Sequence, residues 1–299
     1  KVNGVSKLMI KRYAHDEYKE IEEVNKILKK IKNSNNYFIA NDIKYCDPGM
    51  LDKDDLKDYN KCKNLIKKGF NKNIINNKLN ELGMLQLPDG GIDLNDHISL
   101  NVNGSQLKNI NNSLILLLNN GIVKMNKYKL YHFDIKASNM LYKNGKIKLI
   151  DWGLAGIQKK NEIPEITMHR PFQFNSPFSN ILFSDMFNNW YSSELKKGKN
   201  YYSIALKWII TNNENRGKGH FDLILETIKM FKNDLLKFQM SKKFSIIVDD
   251  DNYQINIIIN YLTNIFEKYT DTKKKIFMGK KYFNEVFSKN TDVWGFLMA

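Results

Sequence analysis

The sequence predicts an α+β chain, with a small antiparallel sheet early and helices dominating the second half. Three observations carry that expectation. Val5 to Tyr13 (VSKLMIKRY) is a strand-like run followed by an amphipathic helical pattern, Met140 to Ile150 reads as a hairpin about Asn144-Gly145, and helical periodicity occupies most of Asp185 to Tyr269. With 299 residues, 42% of them hydrophobic, the chain can bury a sizeable core. It holds no apolar run near the roughly 20 residues that would span a bilayer.

A formal charge of +15 raises nucleic acid or an anionic surface as a partner. The composition argues against specific nucleic-acid recognition. Nearly all the positive charge is Lys, with only Arg12, Arg170 and Arg216 as arginines, and it is dispersed without the Arg and aromatic interleaving that base readout favours. A phosphorylated or acidic protein partner fits the same charge. Cys46 and Cys62 are too few for a disulfide framework or a zinc site, which points to a reducing compartment. A start at Lys1, without an initiator Met or signal peptide, predicts a longer polypeptide that extends at both ends.

In chain order, Asn3-Gly4 is a type I′ turn pair ahead of the first strand. Asp16 to Ile31 is helical, with Ile21, Val24, Ile27, Leu28 and Ile31 on one stripe, acids early and lysines late. Tyr37 to Ile39 is a short strand candidate. Asp42 to Asn80 reads as irregular, an acidic loop leading into a basic helix around Lys61 to Lys68. Met84 to Leu87 is a strand stopped by Pro88-Asp89-Gly90-Gly91, and Ser105 to Met125 is a long helix. Past Gly153 a loop-like segment runs to about Ser184. Helical patterns follow at Tyr201 to Thr211, His220 to Phe238, Tyr253 to Phe266 and Tyr282 to Leu297.

The chemistry concentrates in His132 to Gly153, HFDIKASNMLYKNGKIKLIDWG. Phosphoryl transfer needs an Asp that orients an acceptor hydroxyl and takes its proton, and hard oxygen ligands that hold Mg²⁺ against nucleotide phosphates. Asp134 suits the first task. Asn139 and Asp151, brought together by the hairpin, suit the second. Lys136 is placed to balance charge on the transferring phosphate, and Gly153 lets the chain leave abruptly.

This stretch resembles the eukaryotic protein-kinase superfamily: H-F-D-I-K-A-S-N is similar to its H-R-D-L-K-x-x-N catalytic loop, and D-W-G to its D-F-G. The resemblance implies a bilobal fold with a small sheet-containing N-lobe and a mainly helical C-lobe. Its expected divisions are 1–90 for the N-lobe with an insert near 42–80, 91–184 for the catalytic core, 185–281 for a helical insert, and 282–299 for the start of the central C-lobe helix. It also implies that Lys11, in L-M-I-K, pairs the inner phosphates of ATP with a helix glutamate. Glu23 is the choice for that partner and Glu20, one turn earlier, its competitor. Leu87 stands as gatekeeper, Pro88 and Gly90 as hinge, Asp93 as the acid near ribose or substrate. His132 belongs to the catalytic loop, and Asp292, in D-V-W, caps that loop's backbone.

The implied activity is serine/threonine protein phosphorylation with ATP and Mg²⁺ as cofactors. The Lys and Asn richness and the R-P-F-Q-F-N-S-P-F-S-N-I-L-F run resemble divergent kinases of large cytoplasmic DNA viruses. That likeness implies a viral or acidic protein substrate and a location in host cytoplasm or virion. Departures are the Gly-rich phosphate loop not seen ahead of Lys11, Phe133 in place of Arg, and the long interval from Gly153 to Asp292. A small-molecule kinase of aminoglycoside or choline type and a pseudokinase scaffold are the competing readings.

Overall fold

Lys7 and Met9 alternate with Leu8 and Ile10 along the first strand, β1 (Gly4–Ile10), and that period of two ends at Ile10. A helix follows with no loop between: α1 (Lys11–Leu28) buries Ala14, Ile21, Val24 and Leu28 on one stripe. The structure is a computed structural model describing residues 4–100, 102–232 and 252–299. The strand expected to reach Tyr13 stops at Ile10, and the helix expected from Asp16 begins at Lys11. Asn3 of the expected Asn3-Gly4 turn lies outside the described residues, as do Lys1 and Val2 before it, and Gly4 is already in the strand opposite Pro88.

Strands β2 (Lys44–Cys46) and β3 (Leu82–Pro88) complete an antiparallel sheet in the order β1-β3-β2. Helix α1 packs on β3 at Gly83, where an added Cβ would stand 2.9 Å from that of Ala14. Between β2 and β3 the chain makes 3₁₀ turns and one short helix, α2 (Lys63–Lys67). This segment has its own small core, in which Tyr59, Leu65, Phe70, Ile75 and Leu82 pack with Leu8 and Ile10. The stretch expected to be irregular thus contributes a strand and covers one face of the sheet.

Next come β4 (Ile92–Asp93), α3 (Leu94–Ser99) and α4 (Gly104–Leu116), the last started by a reciprocal capping box between Asn103 and Gln106. The long helix expected to Met125 is broken by a π turn at Leu117–Ile122 before resuming as α5 (Val123–Lys127). Gly121 in that turn lies against Tyr37 and Phe38, where a Cβ would meet their atoms at 3.0 and 3.2 Å. After β5 (Leu130–Tyr131), strands β6 (Met140–Lys143) and β7 (Lys146–Leu149) form the expected hairpin, with Asn144 and Gly145 both at positive φ.

The chain divides into two units, Lys1–Leu130 with Ala137–Ala155, and Tyr131–Lys136 with Gly156–Ala299. The division expected at residue 90 is not the one observed: helices α3 to α5 and the hairpin group with the sheet. In the second unit, β8 (Gly156–Ile157) and a run of 3₁₀ turns precede α6 (Asp185–Lys196), α7 (Tyr201–Arg216), α8 (Phe221–Met230) and α9 (Tyr253–Tyr269). A small hairpin of β9 (Thr270–Asp271) and β10 (Ile276–Phe277) leads to α10 (Gly279–Tyr282), a π turn at Phe283–Phe287, and α11 (Ser288–Leu297). Of the helix expected over His220 to Phe238, residues 233–238 lie outside the described ones.

One aromatic-rich core unites this second unit: Phe187, Tyr191, Trp208 and Phe266 from the helices pack with Tyr131, Phe133, Phe283 and Phe287. The helices of 185–281, expected as a helical insert, share one core with Tyr131 and Phe133. Among the described residues no helix is long and apolar enough to cross a membrane.

Candidate active site

Two constellations, one in each unit, hold the chemistry-bearing side chains. The first is a cavity of about 390 Å³ in the sheet-containing unit. Val5, Ile21, Ile39, Leu141 and Ile150 give it apolar walls, Leu87, Pro88, Gly90 and Gly91 also line it, and Lys7, Glu17 and Asp151 bring charge. Lys7 Nζ donates to both carboxylate oxygens of Glu17, at 2.7 and 2.9 Å.

The structure does not bring Lys11 and Glu23 to this cavity. Lys11, in the first turn of α1, pairs with Asp47 at 2.8 Å, which raises its pKa. Glu23 pairs with Lys26 on the exposed face. Glu20, the competitor, lies in an acidic stretch where burial, then Glu17 and Asp16, push its carboxyl up. Geometry explains the correction. Because α1 starts at Lys11 directly after β1 and packs back against it, Lys11 has left the strand: Glu17 reaches Lys7 Nζ at 2.7 Å, whereas Glu23, six residues further along, turns to the exposed face and pairs with Lys26. The strand alternation that groups Val5 with Lys7 was the signal in the sequence; the helix start was what hid it.

Leu87, Pro88 and Gly90 line the cavity. Asp93 does not: its Oδ1 accepts the Asp96 amide at 3.0 Å, so it serves as the N-cap of α3.

Asp151 enters the cavity from the end of the hairpin, at φ 64°, and makes no ion pair among the described residues. Asn139 is buried at the other side of the same hairpin end, its carbonyl accepting the Ile150 amide at 2.9 Å. Trp152 anchors the turn. Its Nε1 donates to Ile39 O at 2.9 Å, its ring meets Phe38 edge-on at 5.6 Å, and Phe38 bridges to Leu149. Gly153 has no left-handed φ, and an added Cβ would only touch Asp151 Oδ1 at 3.6 Å, so the backbone freedom expected of it is not used.

No group of three His, Cys, Asp or Glu that could hold a metal occurs among the described residues. Asn139 and Asp151 nevertheless suit Mg²⁺ in kind. One carboxylate and one amide oxygen are hard donors, and Mg²⁺ bound beside phosphates takes its other ligands from them and from water.

The second constellation surrounds Asp134. Asp292 accepts the amides of His132 and Phe133 at 2.9 Å each through its two carboxylate oxygens, as the resemblance implies. It does so from within α11, not from the start of a helix. Gly295, one turn on, lets α11 close in: a Cβ there would be 2.8 Å from Ile135 O. His132 is fully buried, and its Nδ1 accepts the Asp134 amide at 3.3 Å. Phe133 holds φ 59°, a conformation that strains a bulky residue by about 1–3 kcal/mol and persists only when its surroundings impose it.

Asp134 itself is nearly buried. Lys136 Nζ donates to its Oδ2 and Asn175 Nδ2 to its Oδ1, both at 2.8 Å. Burial pushes the carboxyl up, but the hydrogen bonds from Lys136 and Asn175, with the charges of Lys136 and His132, outweigh it and hold it below its ordinary value. Arg170 donates to Phe133 O at 3.1 Å; burial lowers its pKa while the Asp134 charge pushes back. Arg170 and Asn175 escaped the sequence reading. The scarcity of arginine in so lysine-rich a chain was the available hint for the first; nothing local marked the second.

No protein-family model matches the chain, and no curated protein matches it.

Proposed function

We propose that the chain is an ATP-dependent protein kinase of bilobal type that phosphorylates serine or threonine hydroxyls. The observation that carries the reading is the Asp134 constellation. An ionised Asp, gripped by a Lys and an Asn, stands on a loop whose backbone is capped by a buried Asp far along the chain.

Asp134 orients the acceptor hydroxyl and takes its proton as the phosphorus–oxygen bond forms. Lys136, half-exposed and already at Asp134, offsets charge on the phosphoryl oxygens. The apolar walls of the cavity suit a flat heterocycle, and Lys7, oriented by Glu17, meets the inner phosphates. Asn139 and Asp151 are the residues that would hold Mg²⁺, which when bound neutralises phosphate charge. A larger open cleft of about 660 Å³ at the end of α1 is lined by Asn, Lys, Ser and Asp42 with Ile31 as its one apolar residue, and lacks the apolar walls a nucleobase needs.

The test is incubation of the purified protein with γ-labelled ATP and mixed protein acceptors, beside Asp134→Ala and Asp151→Ala. Label should reach Ser or Thr with wild type and vanish with both variants. Equal transfer by all three would overturn the assignment, as would transfer confined to small alcohols.

A further inference from the structure

The segment from Arg170 to Asn175 grips the Asp134 loop at three consecutive residues. Arg170 holds Phe133 O at 3.1 Å, and Asn175 Nδ2 holds Asp134 Oδ1 at 2.8 Å and Ile135 O at 3.2 Å. The segment is itself fixed. Phe172 is fully buried with its ring 4.8 Å from that of Phe221, and its carbonyl accepts the His220 amide at 2.9 Å. Phe174 is held at both ends, its amide donating to His220 Nδ1 at 3.2 Å and its carbonyl accepting Trp294 Nε1 at 3.2 Å.

A second observation is independent of these bonds. Between Gly153 and Ser184 the hydroxyl-bearing residues are Thr167, Ser176, Ser179 and Ser184, with no Tyr, and all four are at most 3% exposed. Three of the four hydroxyls have internal duties, Thr167 donating to Pro164 O, Ser179 bonding Tyr282 and Ser184 capping α6, and Ser176 is 3% exposed. A modifying enzyme cannot reach them in the folded chain, and a phosphate on any would have to be buried against these contacts.

We infer that Arg170 and Asn175 are positioning residues forming a permanent brace, which keeps the Asp134 loop in its working geometry without phosphorylation of the segment that carries them. The inference rests on the reading of Asp134 as general base. Phe133 is then held through its backbone, the Arg170 guanidinium reaching its carbonyl oxygen directly.

The experiment uses the full chain, wild type and Arg170→Ala, Arg170→Lys and Asn175→Ala. Phosphatase treatment should leave wild-type kcat unchanged. Arg170→Ala should lower kcat by about 10²-fold with the KM for ATP within about twofold, as expected when a catalytic group is misplaced and nucleotide binding is not. Arg170→Lys, which keeps the charge and one donor, should recover part of the loss and guards against a folding defect. Backbone amide exchange at residues 133–136 should speed up in both alanine variants, a readout that needs no turnover. If wild type transfers no phosphate, the kinase reading fails while exchange still decides the brace. Unchanged exchange in both variants, or a wild type that loses activity on dephosphorylation, overturns the inference.

Discussion

Lys7 and Lys11 stand on opposite sides of a strand end, and that position separates a cavity cation from a surface one. Lys7→Ala should weaken ATP binding by tenfold or more, about 1.4 kcal/mol, while Lys11→Ala leaves it within about twofold; titration with a fluorescent nucleotide distinguishes them. At Asp134, replacement by Asn should cost about 10²–10⁴ in kcat, read from initial rates at saturating ATP. Its folded carboxyl titrates below the unfolded one. The stabilisation this carries is complete above the ordinary value of about 4, and is lost as pH falls through the lower folded value. Activity should therefore hold on the acid side until the fold weakens. Lys136→Met, removing the strongest of the lowering interactions, should move the acid limb of the rate profile upward. The groups in His132 to Gly153 could be named together from the sequence because they lie within one short stretch. Lys7 was not, because its role depends on where α1 begins, and the apolar residues around Leu8 to Tyr13 satisfy a strand period and a helix period alike.

Among the elements, α11 and the His132 loop are joined by two hydrogen bonds to one buried carboxylate. Asp292→Ala removes both and releases the strained Phe133. It should destabilise the protein by about 3 kcal/mol in urea titration, since each bond to a charged group contributes about 1.5–3. Gly83 is the point where α1 meets the sheet. Gly83→Val should cost about 1–3 kcal/mol by overpacking, and displace Glu17 from Lys7. The hairpin at Asn144-Gly145 was legible from its turn pair, and α7 and α9 from their periodicity. Strand β2 was not, since three residues, Lys44 to Cys46, carry no alternation to detect. Helix α6 was missed although Ser184 caps it, because Trp190, Tyr191 and paired Ser and Asn residues blur its apolar face.

For the whole molecule, the lysine excess predicts weak, unselective attraction to polyanions. Fluorescence anisotropy with duplexes of different sequence should give dissociation constants no tighter than about 10⁻⁶ M at physiological salt, alike for all, and weakening as salt rises. Tenfold preference for one sequence would show a readout that the dispersed lysines do not provide. The α+β class and the helical second half were legible from composition and periodicity. The division into two units was not, because it is set by which faces share a core, and His132 and Phe133 join the later helices through contacts 160 and 159 residues away in the chain.

The π turn at Phe283–Phe287 sits directly ahead of the helix that carries Asp292. A π turn is an α-helix with one residue too many, so it sets the phase of everything after it. Deleting a single residue there, Asn284 for example, would restore a regular helix and turn Asp292 by about 100° away from the His132 and Phe133 amides. In this chain a one-residue deletion in a helix should therefore be as damaging to the site as loss of the aspartate itself. The length of that turn is under the same constraint as the residues it aims.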